Sequence, residues 1–248
     1  MISKKELEEY AKKRGLKNLG HAEKYYFQNI MLFIIYQKFG TEIVFKGGTA
    51  LVKCYGLNRF SEDLDFTCKK NFEISIIEEG LKMFKINYEI KHEKLFERSK
   101  SYIIQIQGPL FNGNNNSKCK IIIDLSLREK TLLLAETKII GRFLNEIPAF
   151  EVYVMNKKEI LAEKIRAIFT RNKARDVYDL YFLLSLNVEF DKILAEKKLE
   201  YYKLNYSKKT FYEKLDEKKQ IWESELSPLI QNVPKFEETI KIIKNLII

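Results

Sequence analysis

Phe45-Lys46-Gly47-Gly48-Thr49-Ala50-Leu51, followed by Arg59-Phe60-Ser61-Glu62-Asp63-Leu64-Asp65-Phe66, is the stretch on which the fold of this chain turns. The β-branched and aromatic run from Glu42 to Lys46 predicts a short strand, and Gly47-Gly48 close it. Thr49 to Cys54 suits a short helix, Gly56 ends it, and Asp63 to Thr67 returns to strand. Two glycines between a strand and a helix let the backbone approach a phosphate closely. The N–H groups of the helix start, with the Thr49 hydroxyl, would then point at the anion. A tight strand-to-helix turn with no ligand accounts for the same pair.

The two aspartates sharpen the choice. Side chains alternate along a strand, so Asp63 and Asp65 share one face while Leu64 and Phe66 point into the core. Two carboxylates held on one face repel each other unless a cation lies between them. Magnesium, or manganese in its place, is bound by carboxylate oxygens together with substrate phosphates and is the natural occupant. The competing reading is a solvated polar face. A third acid would complete a two-metal site, and Ile121-Ile122-Ile123-Asp124-Leu125 supplies one. An Asp inside an apolar β-branched strand is costly to bury without a partner; an edge strand facing water is its alternative.

Around this centre the pattern is mixed. Residues 3–39 read as two helices, with turns at Gly15 to Gly20 and a stop at Gly40. Glu73 to Phe84 looks like a crossover helix, and Tyr88–Ile90, Tyr102–Gln107, Lys120–Leu127 and Glu151–Met155 read as strands. Gly108 to Asn116 is a Gly- and Asn-rich loop. From Lys158 onward the pattern is helical. The expectation is an α+β architecture with a mixed sheet and flanking helices over residues 1–156, and an all-helical region over 157–248 that completes the active-site cleft.

Composition narrows the function classes. The chain has 248 residues, a net charge of +10, three cysteines and two histidines. Cys54, Cys68 and Cys119 show no zinc spacing and no disulfide framework. Two histidines supply a histidine-ligated metal or a catalytic triad poorly. The longest apolar run, Met31 to Tyr36, is far too short to span a bilayer, and the N-terminus MISKKELEEY lacks the apolar core of a signal peptide. The expected setting is a reducing cytoplasm with no membrane partner. The basic balance favours polyanions such as nucleoside triphosphate or nucleic acid, although a Lys-rich proteome would produce it too.

The ordered series G-G-T-A-L at 47–51, R-F-S-E-D-L-D-F at 59–66 and a strand Asp at 124 resembles the AbiEii/AbiGii nucleotidyltransferase family. Those are toxins of type IV toxin–antitoxin systems, within the DNA-polymerase-β-like superfamily. Glu159-Ile160-Leu161-Ala162-Glu163-Lys164-Ile165 and Lys173-Ala174-Arg175-Asp176-Val177-Tyr178-Asp179-Leu180-Tyr181 look like the family's two later motifs. The resemblance implies a polymerase-β-like fold, a nucleoside triphosphate substrate, an acceptor such as the 3′ end of a tRNA, and a cognate antitoxin. It makes Asp63, Asp65 and Asp124 both metal ligands and catalytic residues.

The same resemblance turns Lys164 from an ordinary surface lysine into a cation that contacts nucleotide phosphates. Leu161, Ile165 and Ile168 form a helical stripe, and Lys164 lies beside it. Asp176 and Asp179 are three apart and share a helix face; they would orient Lys164 or Arg175, or touch the base or ribose, and Arg175–Asp176 is alternatively a structural ion pair. Lys46 and Arg59 would neutralise triphosphate bound on Gly47, Gly48 and Thr49.

The segment 201–214 interleaves Tyr201, Tyr202, Tyr206, Phe211 and Tyr212 with Lys203, Lys208, Lys209 and Lys214. This mixture suits RNA, where bases stack and phosphates pair; an amphipathic helical pair with its rings in the core fits as well. The expected activity is magnesium-dependent nucleotidyl transfer to RNA. The alternatives are transfer to a protein or small molecule, or an inactive relative that binds nucleotide or a partner.

Overall fold

The computed structural model describes residues 1–70, 72–96, 99–142 and 146–247. They form two compact units. The first comprises residues 1–50, 62–130 and 137–154; the second comprises 51–61, 131–136 and 155–248.

In chain order the elements of the first part are α1 (Lys4–Lys13), α2 (Leu19–Phe39), β1 (Ile43–Lys46), α3 (Gly47–Tyr55), β2 (Leu64–Cys68), α4 (Ser75–Met83), β3 (Tyr88–Phe96), β4 (Ser99–Ile106), β5 (Cys119–Ser126), β6 (Glu136–Ile140) and β7 (Phe150–Val154). Local chemistry sets the first helices. Ser3 and Glu6 form a reciprocal capping box on α1, and the Asn18 side chain accepts from the His21 N–H to start α2.

The seven strands order as β3-β4-β5-β2-β1-β7-β6. β1 runs antiparallel to β2 but parallel to β7, and β2 runs parallel to β5. The sheet is therefore mixed, as expected. Its core face follows from period-two alternation. Ile121, Ile123 and Leu125 are buried along β5, whereas Ile122, Asp124 and Ser126 between them are half-buried. Phe45, Phe66 and Leu125 sit in one register row, and Tyr36 of α2 packs beside Phe66 with ring centroids 6.5 Å apart. The Tyr36 hydroxyl also accepts from the Phe45 N–H at 3.1 Å. Helix α2 thus covers the face opposite the aspartates. Gly80 lets α4 approach α2 closely, because a Cβ there would enter the Ile34 side chain.

The pattern Glu136-Thr137-Lys138-Ile139-Ile140 was expected to carry no element, yet it forms the edge strand β6. Short edge strands leave one ladder unpaired and need little apolar patterning, so the signal there is weak. The Tyr88–Ile90 strand also extends further, through the antiparallel pairing of β3 with β4.

The second unit is built on α5 (Lys157–Thr170), α6 (Ala174–Ser185), α7 (Lys192–Glu200), α8 (Lys208–Asp216), a 3-10 turn over 217–221, α9 (Trp222–Leu226) and α10 (Phe236–Leu246). Its core gathers Leu161, Ile165, Ile168, Leu180, Leu183 and Phe211, all essentially inaccessible. No helix among the described residues is long and apolar enough to cross a membrane.

Candidate active site

The first unit brings the expected acids together by strand register. Asp65 on β2 is the direct partner of Asp124 on β5. Register partners on neighbouring strands share a face at a spacing of about 5 Å. Asp63 precedes the strand by one residue and lies on the same side by alternation. All three acids are half-buried. On the other side of Asp65 its register partner is Lys46, which is 9% exposed. A cation is thereby set directly beside the acidic pair.

The glycine turn is tied to these acids. Gly47 has φ of +74°, in the left-handed region that costs other residues dearly. A Cβ at Gly47 would collide with the Asp65 carboxylate. The turn and the acid therefore occupy one corner of the sheet. Thr49 behaves differently from expectation. It is 1% exposed, and its hydroxyl donates to the Asp63 carbonyl instead of pointing outward at an anion. Its role is to fix the chain entering β2.

Among the described residues no three His, Cys, Asp or Glu side chains already stand as a metal cage. Magnesium takes one or two protein carboxylates, and substrate phosphates and water complete its shell. The Asp65–Asp124 register pair, with Asp63 beside it, has the hard-oxygen chemistry such an ion needs. The residues fit it.

The second unit holds a buried ion cluster. Arg59 makes a two-pronged contact with Asp179, Nε to Oδ1 at 2.6 Å and Nη2 to Oδ2 at 2.7 Å. Arg171 makes the same kind of fork with Asp176, Nε to Oδ2 at 2.6 Å and Nη2 to Oδ1 at 2.7 Å. Lys164 bridges the two pairs, 3.0 Å from Asp176 Oδ1 and 2.6 Å from Asp179 Oδ2. Burial alone would raise both carboxyls. For Asp176 the Lys164 and Arg171 charges outweigh it, and for Asp179 Arg59 and Lys164 do, so both stay below the usual carboxylate range. Burial likewise works against the Arg59 charge, but Asp179 more than compensates and pushes the Arg59 pKa up.

These positions correct several expectations. Lys164 is not a surface lysine: it is 5% exposed, with two carboxylates on its ammonium. Asp176 and Asp179 are inaccessible, so they orient Lys164 and do not reach a base or ribose directly. The partner of Asp176 is Arg171, not Arg175, because the fork closes across the break between α5 and α6. Arg59 is consumed by Asp179 and does not present its charge to a triphosphate. Arg171 itself was missed; the run Arg171-Asn172-Lys173-Ala174-Arg175-Asp176 offers three cations, and nothing local says which one bends back.

Two further motif residues have structural duties. Glu159 is inaccessible and accepts from Lys198 Nζ at 2.7 Å and from the backbone N–H groups of Leu132 and Leu133 at 2.9 Å. Lys198 also reaches Glu163 at 3.2 Å. This cluster pins segment 131–136 to α5. In the 201–214 segment the rings turn inward: Phe211 is inaccessible, and Tyr206 packs against Phe169, Phe190 and Phe211. Those two are core residues, while Lys203, Lys208 and Lys209 face solvent.

A family model described as "Nucleotidyl transferase AbiEii toxin, Type IV TA system" matches residues 32–241. No curated protein matches at a significant level. The crystal structure of JHP933 from Helicobacter pylori is similar, with a TM-score of 0.63 at 21% identity, covering 91% of this chain and 89% of that one. MenT4, a nucleotidyltransferase toxin from Mycobacterium tuberculosis H37Rv, is similar with a TM-score of 0.68 at 17% identity, covering 99% of this chain and 88% of that one. At such identities the likeness is one of fold.

Proposed function

The chain belongs to the AbiEii nucleotidyl transferase toxin family of type IV toxin–antitoxin systems, and from that premise we propose that it transfers a nucleoside monophosphate to an RNA 3′ hydroxyl, in the manner of a tRNA-modifying toxin, at Asp63, Asp65 and Asp124. Family membership makes it a nucleotidyltransferase with a nucleoside triphosphate substrate, and implies an antitoxin as partner. The observation that carries the finer reading is the Asp65–Asp124 register pair beside the left-handed Gly47.

In this reading the backbone N–H groups at Gly47 and Gly48 cradle the triphosphate, and Lys46 offsets part of its charge. A magnesium-class ion held by the three acids would supply charge neutralisation on the phosphates. Asp124 orients the acceptor hydroxyl and takes its proton. The acceptor oxygen then forms a bond to the α-phosphorus as the bond from that phosphorus to the bridging oxygen breaks, and pyrophosphate leaves. Lys164 retains one N–H beyond its two carboxylate contacts, and that donor is directed to a phosphate. Positioning and charge complementarity do most of the catalytic work, as in phosphoryl transfer generally.

RNA is favoured as acceptor by the net charge of +10 and the solvent-facing lysines at 203–209. The test is incubation of the purified protein with each α-labelled triphosphate, total RNA and lysate protein, with and without magnesium. Label should enter RNA in the presence of magnesium, and Asp65→Asn should abolish the incorporation while leaving the thermal midpoint unchanged or raised. Label found in protein alone would replace RNA by a protein hydroxyl. Undiminished transfer by Asp65→Asn would dismiss the site.

A further inference from the structure

The ion cluster of the second unit is unbalanced in a way that points outward. Arg59 with Asp179 and Arg171 with Asp176 are two complete one-to-one forks, and Lys164 is a third cation shared between them. Three cations face two carboxylates. The side chains of Arg59, Lys164, Asp176 and Asp179 are 2%, 6%, 0% and 0% exposed, whereas that of Arg171 is 48% exposed. Lys218, also buried and within electrostatic reach of Asp176, has Glu217 as its own partner at 3.6 Å and leaves the surplus standing. A surplus charge in a low-dielectric interior is costly unless an anion answers it.

Arg171 has the donors for that anion. A guanidinium carries five N–H groups, and Asp176 takes Nε–H and one N–H of Nη2. The opposite edge, formed by Nη1 and the second N–H of Nη2, is a parallel pair of donors. Such a pair matches two oxygens of one phosphate. We propose that Arg171 is a two-sided fork, one edge held by buried Asp176 and the other binding a phosphate group that balances the cluster. The identity of the phosphate rests on the nucleotidyl-transfer reading: it belongs to the triphosphate or to the RNA backbone.

The test measures binding of inorganic tripolyphosphate and of a single-stranded oligoribonucleotide, both without divalent metal and at low salt. Arg171→Gln should weaken one of the two by about tenfold or more, the size expected for a charged two-pronged contact, and circular dichroism should show the variant folded. Loss confined to tripolyphosphate assigns the triphosphate; loss confined to the oligoribonucleotide assigns the acceptor backbone. Wild-type binding of both ligands by folded Arg171→Gln overturns the proposal. Should that variant fail to fold, Asp176→Asn decides. It removes a negative charge and keeps Arg171, so anion binding should tighten several-fold; unchanged or weaker binding overturns the proposal. A protein that never transfers label, yet loses anion binding in Arg171→Gln, would refute the reaction and leave this site standing.

Discussion

The Asp65 carboxylate lies against the Cα of Gly47, in the space that any side chain at position 47 would take. One residue cannot change without displacing the other. The glycine is thus required twice, by its φ of +74° and by the acid beside it.

Gly47→Ala should therefore cost about 1–2 kcal/mol in folding from the left-handed backbone and, in addition, push Asp65 away from the phosphate turn. Gly56→Ala is the control. It has φ of +80° but nothing within 4 Å of its added Cβ. Thermal melts should show similar losses for the two, while transfer falls at least about tenfold only in Gly47→Ala, equivalent to some 1.4 kcal/mol of transition-state stabilisation. Equal activities in the two variants would mean that the contact with Asp65 does not matter.

The forked arrangement predicts unequal costs within the ion cluster. Arg59→Met leaves Asp179 with only the shared Lys164, and breaking a buried pair of this kind costs about 3–5 kcal/mol. Lys164→Met leaves two matched Arg–Asp forks, so its cost should be on the order of 1 kcal/mol, since an apolar chain of similar length fills the space. Urea melts of both variants measure the difference. An equal or larger loss for Lys164→Met would show that the lysine is the structural centre of the cluster.

Acid should find the same cluster. Asp176 and Asp179 have pKa values lowered in the folded state, so the unfolded chain binds their protons first. Their contribution is fully present above the unfolded value of about 4 and is lost as pH falls below it toward the folded values. Stability followed by denaturant melts from pH 6 down to pH 2 should drop steeply below about pH 4, and Asp179→Asn should flatten that drop. A parallel profile in the variant would place the acid sensitivity elsewhere.

The solvent-facing lysines give a salt test. Replacing Lys203, Lys208 and Lys209 together by Gln should flatten the salt dependence of RNA binding by up to about one unit per lost phosphate contact. Tyr206→Leu, which removes a core ring, should lower the thermal midpoint and leave that slope alone. An unaltered slope in the lysine triple variant would remove this segment from the RNA surface.

Period-two alternation placed Asp63 and Asp65 on one face, and the glycine pair marked the turn before α3, because both signals are written in neighbouring residues. The same local rules found the strand of Asp124 and the helices after residue 157. Register is different. That Asp65 faces Asp124 and not a residue two places away is decided by how β2 and β5 slide past each other, which no local pattern encodes. Burial of Lys164 was equally out of reach, since a lysine beside an apolar stripe reads as exposed until its partners are known. Those partners are Asp176 and Asp179, and Arg59 reaches Asp179 across 120 residues of sequence. Charge alone told that the chain was basic; only the folded helices decided which arginine is spent on an aspartate and which keeps an edge open, because an ion pair depends on distance in space and not on separation along the chain.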